Sequence, residues 1–217
     1  KNKIMIKANV KNKPTKFLKM HGLGNDFLII DSRSSALKLT PKLVVGLADR
    51  SFGVGFDQLG VIFETKNPNA EASVEFWNAD GTMSATCGNA TRCIARMLMD
   101  EKKTSAINLM SNHRVLKCIK LRNKNITVNM GAALFNWQDI PLSEPCNTLH
   151  LPIEGDPVGT SIGNPHCTFF VNSINDLSIE TIGKRYETDS LFPAKTNVQI
   201  AEVLNKKLIK VRVWERG

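Results

Sequence analysis

Short runs in which apolar and polar residues alternate dominate the chain, the pattern of strands buried on one face. The alternation predicts strands at residues 17–20, 27–31, 59–64, 72–78, 107–110, 115–121 and 125–130. A second series follows at 166–172, 197–203 and 208–215, and the N-terminal residues read as a loose extension or a short strand at 4–6. Turn punctuation such as Asn67-Pro68-Asn69 separates them. Helical spacing is rarer. Residues 41–51 put Leu43, Val44, Leu47 and Ala48 on one face. Residues 88–101 repeat Ala90, Cys93, Ile94, Met97 and Leu98 nearly all round, which predicts a buried helix. A third helix is expected near 179–187. The fold class is α+β, with mostly antiparallel sheet around a few helices.

The pattern repeats. Gly22-Leu23-Gly24-Asn25-Asp26-Phe27 resembles Ser161-Ile162-Gly163-Asn164-Pro165-His166, and Gly24 and Gly163 stand 139 positions apart. The same offset carries Gln58, which precedes a predicted strand, onto Asn197, which precedes another. Trp77 and Trp214 match at an offset of 137. Three matches in order predict two related halves. Cys87 follows Trp77 by ten residues, so its counterpart would fall near position 224, beyond Gly217. The expected organisation is a basic N-terminal extension at 1–15, a first domain at 16–131 and a second at 132–217 that stops before its own cysteine.

Composition narrows the function classes. With 217 residues, 42% of them apolar, the chain can build one large core or two small ones. No stretch approaches the roughly 18 apolar residues of a membrane helix, and the basic N-terminus lacks an apolar signal core. The net charge of +9 raises the question of nucleic acid. However, the lysines are scattered, and one Tyr and three Trp offer little for base stacking, so no nucleic-acid partner is expected. Five cysteines at irregular spacing predict neither a disulfide framework nor a zinc site. A cytoplasmic protein with reduced thiols and no membrane partner fits these numbers.

The sharpest chemical signal is the segment from Asn78-Ala79-Asp80-Gly81 to Cys87-Gly88-Asn89. Cys87 stands where the apolar helix should begin. Unpaired backbone N–H groups and the positive end of the helix dipole favour a thiolate there. The N–H groups of Gly88 and Asn89 could also hold a carboxylate, and Gly88 leaves room for it. Read alone, Cys87 could equally be a buried cysteine beside a helix cap. Asn25, Asn78 and Asn164 could be turn residues, and His166 a structural histidine.

Five stretches carry a family resemblance. They are Lys19-Met20-His21-Gly22-Leu23-Gly24-Asn25-Asp26-Phe27, Phe52-Gly53-Val54-Gly55-Phe56-Asp57-Gln58, the run from Asn78 to Asn89, Gly163-Asn164-Pro165-His166, and Glu215-Arg216-Gly217. Together they resemble the diaminopimelate epimerases. The resemblance implies two pseudo-symmetric domains, each a barrel-like sheet around a central helix, with one cysteine from each domain facing a shared cleft. It implies a cofactor-independent isomerase that converts L,L-diaminopimelate to meso-diaminopimelate in lysine and peptidoglycan precursor synthesis, most commonly as a homodimer.

By the same resemblance Cys87 is one of two acid/base cysteines. Gly88 and Asn89 bind the reacting-end carboxylate, and Asn25 and Gln58 contact substrate. Asn78, Asn164, Asn197 and Arg216 grip the distal amino-acid end. Glu215 contacts the α-amino group, and Glu215 and His166 tune the thiols. Family members continue past Glu215-Arg216-Gly217 to the second cysteine, a group that residues 1–217 are expected to lack. A racemase for another amino acid would differ around Asn78, Asn164, Asn197 and Arg216. The phenazine-type isomerases would not carry Cys87-Gly88-Asn89.

Overall fold

A computed structural model describes residues 15–35, 37–84 and 86–216, so the short strand expected at 4–6 lies outside the described residues. The chain forms two compact units, one ending at Met130 and the other beginning at Gly131.

The first unit opens with a hairpin of β1 (Leu18–Gly22) and β2 (Asn25–Asp31). Its two turn residues, Leu23 and Gly24, both have positive φ (57° and 94°), as a tight hairpin of this twist requires. Helix α1 (Pro41–Ala48) then returns the chain to β3 (Gln58–Phe63), parallel to β2. Thr40 caps α1 by accepting the Leu43 N–H, and Pro41 fills the first turn, where no backbone donor is needed. Antiparallel β4 (Ala72–Asn78) follows, with the two-residue β5 (Met83–Ser84) on its margin. After α2 (Gly88–Lys102), strands β6 (Ala106–Ser111), β7 (Arg114–Lys120) and β8 (Ile126–Asn129) extend the sheet.

Alternation along the strands assigns two cores. Phe27, Ile29, Ile62, Val74 and Phe76 face α2 and its Ala90, Ile94, Ala95, Leu98 and Met99. Leu28, Ile30, Leu59 and Val61 face α1 through Val44 and Leu47. Strands β2 and β3 are therefore covered on both sides, which is why each reads as an almost unbroken apolar run. Gly60 lets α2 lie close, since a Cβ there would stand 3.0 Å from Ile29 Cδ1 and 3.1 Å from Ile94 Cδ1. Helix α2 is less fully buried than its nearly all-round apolar spacing predicts. Arg96 and Asp100 are exposed and Arg92 half-buried, and their i, i+4, i+8 spacing forms a polar stripe.

The second unit is a four-stranded sheet of β9 (Val158–Ser161), β10 (Pro165–Phe170), β11 (Asn197–Asn205) and β12 (Leu208–Trp214), with α3 (Ile179–Tyr186) in the crossover. It repeats the connectivity of β1 to β4, namely antiparallel, parallel, antiparallel. The registers repeat too. Phe27 pairs with Gln58 and His166 with Asn197, while Leu59 pairs with Trp77 and Val198 with Trp214. The offsets seen in the sequence are thus offsets between equivalent ladder positions. Gly183 of α3 lets Trp214 seat beneath the helix, because a Cβ would overlap the indole. The Trp214 Nε1–H donates to Glu187 Oε2 at 2.8 Å. Strands β5 and β9 escaped the sequence reading. The first is two residues long, and the second, Val-Gly-Thr-Ser, has one bulky apolar side chain.

Candidate active site

In the first unit Cys87 is the N-cap of α2, with extended φ/ψ of −142° and 105°, and its Sγ accepts the Ala90 N–H at 3.4 Å. The Cys87 carbonyl takes the Thr91 N–H at 2.9 Å and the Thr91 hydroxyl at 2.7 Å. The sulfur is thereby held at the positive end of the helix. Sulfur is a weak acceptor and a poor substitute for the Ser, Thr, Asp or Asn that usually caps a helix, so capping does not explain a thiol here. At Gly88 a Cβ would meet only Met130 Sδ at 3.7 Å and Arg92 Nη1 at 4.0 Å, ordinary contacts. Packing within the chain therefore does not by itself require a glycine at this position. Arg92 donates to Asn89 Oδ1 and brings a cation beside the first turn.

Three amides stand at the same end and on the same face of the sheet. Asn25 begins β2, Gln58 begins β3, and Asn78 ends the antiparallel β4, where it pairs with Gln58. Asn25 shares the parity of Phe27, which pairs with Gln58, so all three lie on the α2 side. The N-terminus of α2 lies at this end, since a Cβ on Gly22, the partner of Asn25, would touch Asn89 Cβ at 3.4 Å. Gln58 Nε2 donates to Asn78 Oδ1 at 2.8 Å, and Asn78 Nδ2 donates to Thr82 Oγ1 at 3.0 Å. Asn25 Oδ1 and Gln58 Oε1 are buried and, among the described residues, meet no donor. Buried acceptors without partners are uncommon, and at the mouth of a helix that carries a thiol they call for a ligand that brings donors.

A charged brace holds these strand ends. The Asp26 N–H donates to Asp57 Oδ2 at 2.8 Å, and the Asp57 N–H returns to Asp26 Oδ1 at 2.9 Å. Arg50 bonds both carboxylates, and Lys19 pairs with Asp26 at 2.6 Å. Burial alone would raise the Asp26 carboxyl, but hydrogen bonds from Arg50, Lys19 and Asp57 outweigh it and hold the group well below the usual carboxylate range.

In the second unit Asn164, His166, Asn197 and Arg216 gather at the equivalent strand ends. Thr168 Oγ1 donates to Gln199 Oε1 at 2.8 Å, Gln199 Nε2 reaches His166 Nδ1 at 3.1 Å, and His166 Nε2 reaches Asn164 Oδ1 at 3.0 Å. This direction makes His166 a neutral imidazole that carries its proton on Nε2 and, among the described residues, leaves the Asn164 Nδ2 donors to a ligand oxygen. Burial, and after it the positive charge of Arg216, lowers the His166 pKa and keeps it in that form. Asn197 is 5% exposed. It accepts the Arg216 N–H at 3.0 Å and donates to the Pro165 carbonyl at 3.3 Å. Its geometry is that of a brace fixing the Arg216 backbone. Arg216 Nη1 donates to the Ala194 carbonyl at 2.8 Å, burial lowers the guanidinium pKa, and no carboxylate pairs with it among the described residues. A half-buried cation in that condition suits an anionic ligand. Glu215 is exposed beside it.

The remaining cysteines are poorly placed for acid/base work. Burial and then Asp189 push the Cys167 thiol up to about 12, and burial and then Glu71 push Cys118 up to about 11. Cys93 is raised by burial despite Arg92 and Arg96, and Cys146 by burial and Glu144. The sequence reading missed Thr82, Arg92, Thr168 and Gln199. Strand alternation held the clue for two of them, because Thr168 and Gln199 lie two residues beyond His166 and Asn197 on the same face.

The chain resembles known proteins over most of its length. The diaminopimelate epimerase family model matches residues 17–135 and 159–217. The chain is 45% identical over 207 residues to a diaminopimelate epimerase of Wolbachia sp. subsp. Drosophila simulans (strain wRi), covering 93% of this chain and 76% of that one. It is 43% identical over 211 residues to one from Pelagibacter ubique (strain HTCC1062), with the same coverage. Among solved structures, a hydroxyproline epimerase from Agrobacterium vitis aligns with a TM-score of 0.58 at 13% identity, covering 91% of this chain and 68% of that one. A probable proline racemase from Agrobacterium radiobacter K84 aligns equally well at 12% identity, covering 91% and 69%. At such identities these structures speak for the fold alone.

Proposed function

Because the chain belongs to the diaminopimelate epimerase family, we propose that it inverts one α-carbon of L,L-diaminopimelate to give the meso isomer, with Cys87 as an acid/base thiol. One observation carries the reading. A cysteine stands where a helix N-cap should be, at the same strand ends as three amides, two of them with buried oxygens that meet no donor among the described residues.

The chemistry follows from these groups. An amino-acid α-proton is very weakly acidic, so its removal needs a base held close to Cα and fixed dipoles for the charge that develops. Cys87 is the base, or the acid in the reverse direction. The N–H groups at the start of α2, around Gly88 and Asn89, receive the reacting-end carboxylate and stabilise the charge delocalised into it. Asn25 and Gln58 offer oxygens to ammonium donors. In the second unit Asn164 and Arg216 offer donors to a carboxylate, and each, like Asn78 of the first unit, is assigned to recognition of the distal amino acid. Asn197 acts through the Arg216 backbone it holds. Glu215 is assigned to the α-amino group, and Glu215 and His166 to the ionisation of the thiols.

Inversion needs a second proton carrier on the opposite face of Cα. We assign that role to the counterpart of Cys87 expected near position 224. No cofactor enters the scheme, and a cytoplasmic homodimer serving lysine and peptidoglycan precursor synthesis is the form we assign. Among the described residues no helix is long and apolar enough to cross a membrane.

The test is to incubate the protein, at its full natural length and with thiols reduced, with L,L-diaminopimelate, and to separate the stereoisomers by chiral chromatography. Accumulation of the meso isomer supports the proposal. Recovery of only the L,L isomer contradicts it.

A further inference from the structure

Strand β4 ends at Asn78 and turns back through Asp80, Gly81 and Thr82. We infer that Asp80 and Thr82 are positioning residues that fix the direction of an amide relay, so that it ends in Gln58 Oε1 as an acceptor for an ammonium group of the substrate. The inference deepens the proposed function and rests on it.

The direction follows from donor and acceptor chemistry. An ionised carboxylate can only accept. Asp80 Oδ1 takes the Thr82 N–H at 2.9 Å and the Thr82 hydroxyl at 2.6 Å. A hydroxyl has one proton, and that proton is committed to Asp80. Toward Asn78 the Thr82 oxygen can therefore only accept, which selects the Asn78 Nδ2 group at 3.0 Å. The Asn78 oxygen must then point the other way, where it meets Gln58 Nε2 at 2.8 Å. Gln58 in turn is fixed with its oxygen, and the second N–H of its amide, turned away from Asn78. That oxygen is buried and has no donor among the described residues, and Asn25 Oδ1 is in the same condition.

One negative charge at Asp80 thus orders three side chains and leaves an acceptor at the far end. Reversing either amide would set oxygen against oxygen or N–H against N–H inside the relay. A carboxylate of the ligand would be repelled from such an end, whereas an alkylammonium brings three donors and a positive charge. Diaminopimelate carries two ammonium groups, so the chemistry of the acceptor matches the proposed substrate.

The experiment compares two ligands by titration calorimetry, diaminopimelate and 2-aminopimelate, which lacks one amino group. The proteins are the parent, Asp80→Ala, Thr82→Val and Thr82→Ser. An alanine at 80 removes the acceptor that holds the Thr82 hydroxyl proton, so that proton can turn to Asn78 and the relay can reverse until Gln58 presents its NH2 group. The expected result is that the parent's preference for diaminopimelate over 2-aminopimelate falls about tenfold in Asp80→Ala and in Thr82→Val, the size of effect a single hydrogen bond carries. Thr82→Ser, which keeps the hydroxyl, retains the parent's preference. Equal weakening of both ligands would mean that Asp80 merely supports the turn and would overturn the inference, as would an unchanged preference. If the parent binds neither ligand, the proposed function fails, and the relay is then judged by the Gln58 side-chain amide signals in NMR. Signals that shift in Asp80→Ala and Thr82→Val but not in Thr82→Ser support the relay. Signals that stay in place overturn it.

Discussion

Cys87 Sγ accepts the backbone N–H of Ala90 at 3.4 Å, so a thiol occupies the capping position of the buried helix in the first unit. A hydroxyl would cap this helix better, because oxygen is the stronger acceptor. Cys87→Ser is therefore expected to stabilise the protein by about 0.5 kcal/mol while removing its isomerase activity. Thermal unfolding and turnover, measured on the same preparation, check both halves. A variant that is less stable and still active would contradict the assignment of the sulfur to chemistry.

The thiols should differ in reactivity in a set order. Cys118 and Cys167 are fully buried, and burial raises both far above neutrality. Cys87 is half-buried at a helix N-terminus, where a thiolate is favoured. Limited alkylation near pH 8, followed by peptide mass spectrometry, is expected to mark Cys87 first and to leave Cys118 and Cys167 unmarked until the chain is unfolded. Diaminopimelate should protect Cys87. Labelling of Cys167 as fast as Cys87 would speak against the geometry.

The Asp26 brace gives stability a definite pH dependence. Its carboxyl is held below the ordinary value of 3.8 by Arg50, Lys19 and Asp57, despite a burial that acts the other way. A carboxyl depressed in the folded state contributes stability that is complete above the unfolded value and is lost as pH falls toward the folded one. Asp26→Asn is expected to cost about 1–2 kcal/mol at pH 7, and the deficit should shrink as pH falls below about 4. Denaturant unfolding at pH 7 and pH 3 provides the comparison. A deficit that is constant with pH would show that the brace is not electrostatic.

Gly183 governs the strand that leads to Arg216. A Cβ there would overlap the Trp214 ring, which also donates to Glu187 at 2.8 Å. Gly183→Ala is expected to destabilise the second unit by about 1–3 kcal/mol, although alanine normally favours a helix. Tryptophan fluorescence should report the displaced indole. A neutral or stabilising effect would contradict the packing of α3 on β12.

Much of the fold was legible because its signals are local. The alternation in Ala72–Asn78 and the helical spacing that begins at Gly88 mark their elements directly. The repeat was legible because equivalent ladder positions, such as Gln58 and Asn197, fall at a nearly constant separation. What stayed hidden depends on partners distant in the chain. Strand β9 is recognisable only beside β10, and the polar stripe of α2 is set by which face meets the sheet. The site shows the same division. Cys87, Asn25, Gln58 and Asn78 are marked by their motifs, whereas Gln199 and Thr168 enter through side-chain bonds that no local pattern announces. Asn197 was visible as a position, but its work as a brace appears only when its bonds to Pro165 and Arg216 are seen.

The central claim is that Cys87 moves the α-proton, and the most direct measurement is wash-in of deuterium. L,L-diaminopimelate is incubated in deuterated buffer with the parent protein and with Cys87→Ala, and label at Cα is followed by NMR. The account predicts catalysed exchange by the parent and a rate lower by about 10²–10⁴-fold in Cys87→Ala, the range expected for loss of a positioned acid/base group. Exchange at an equal rate in both proteins would place the base elsewhere and contradict the account.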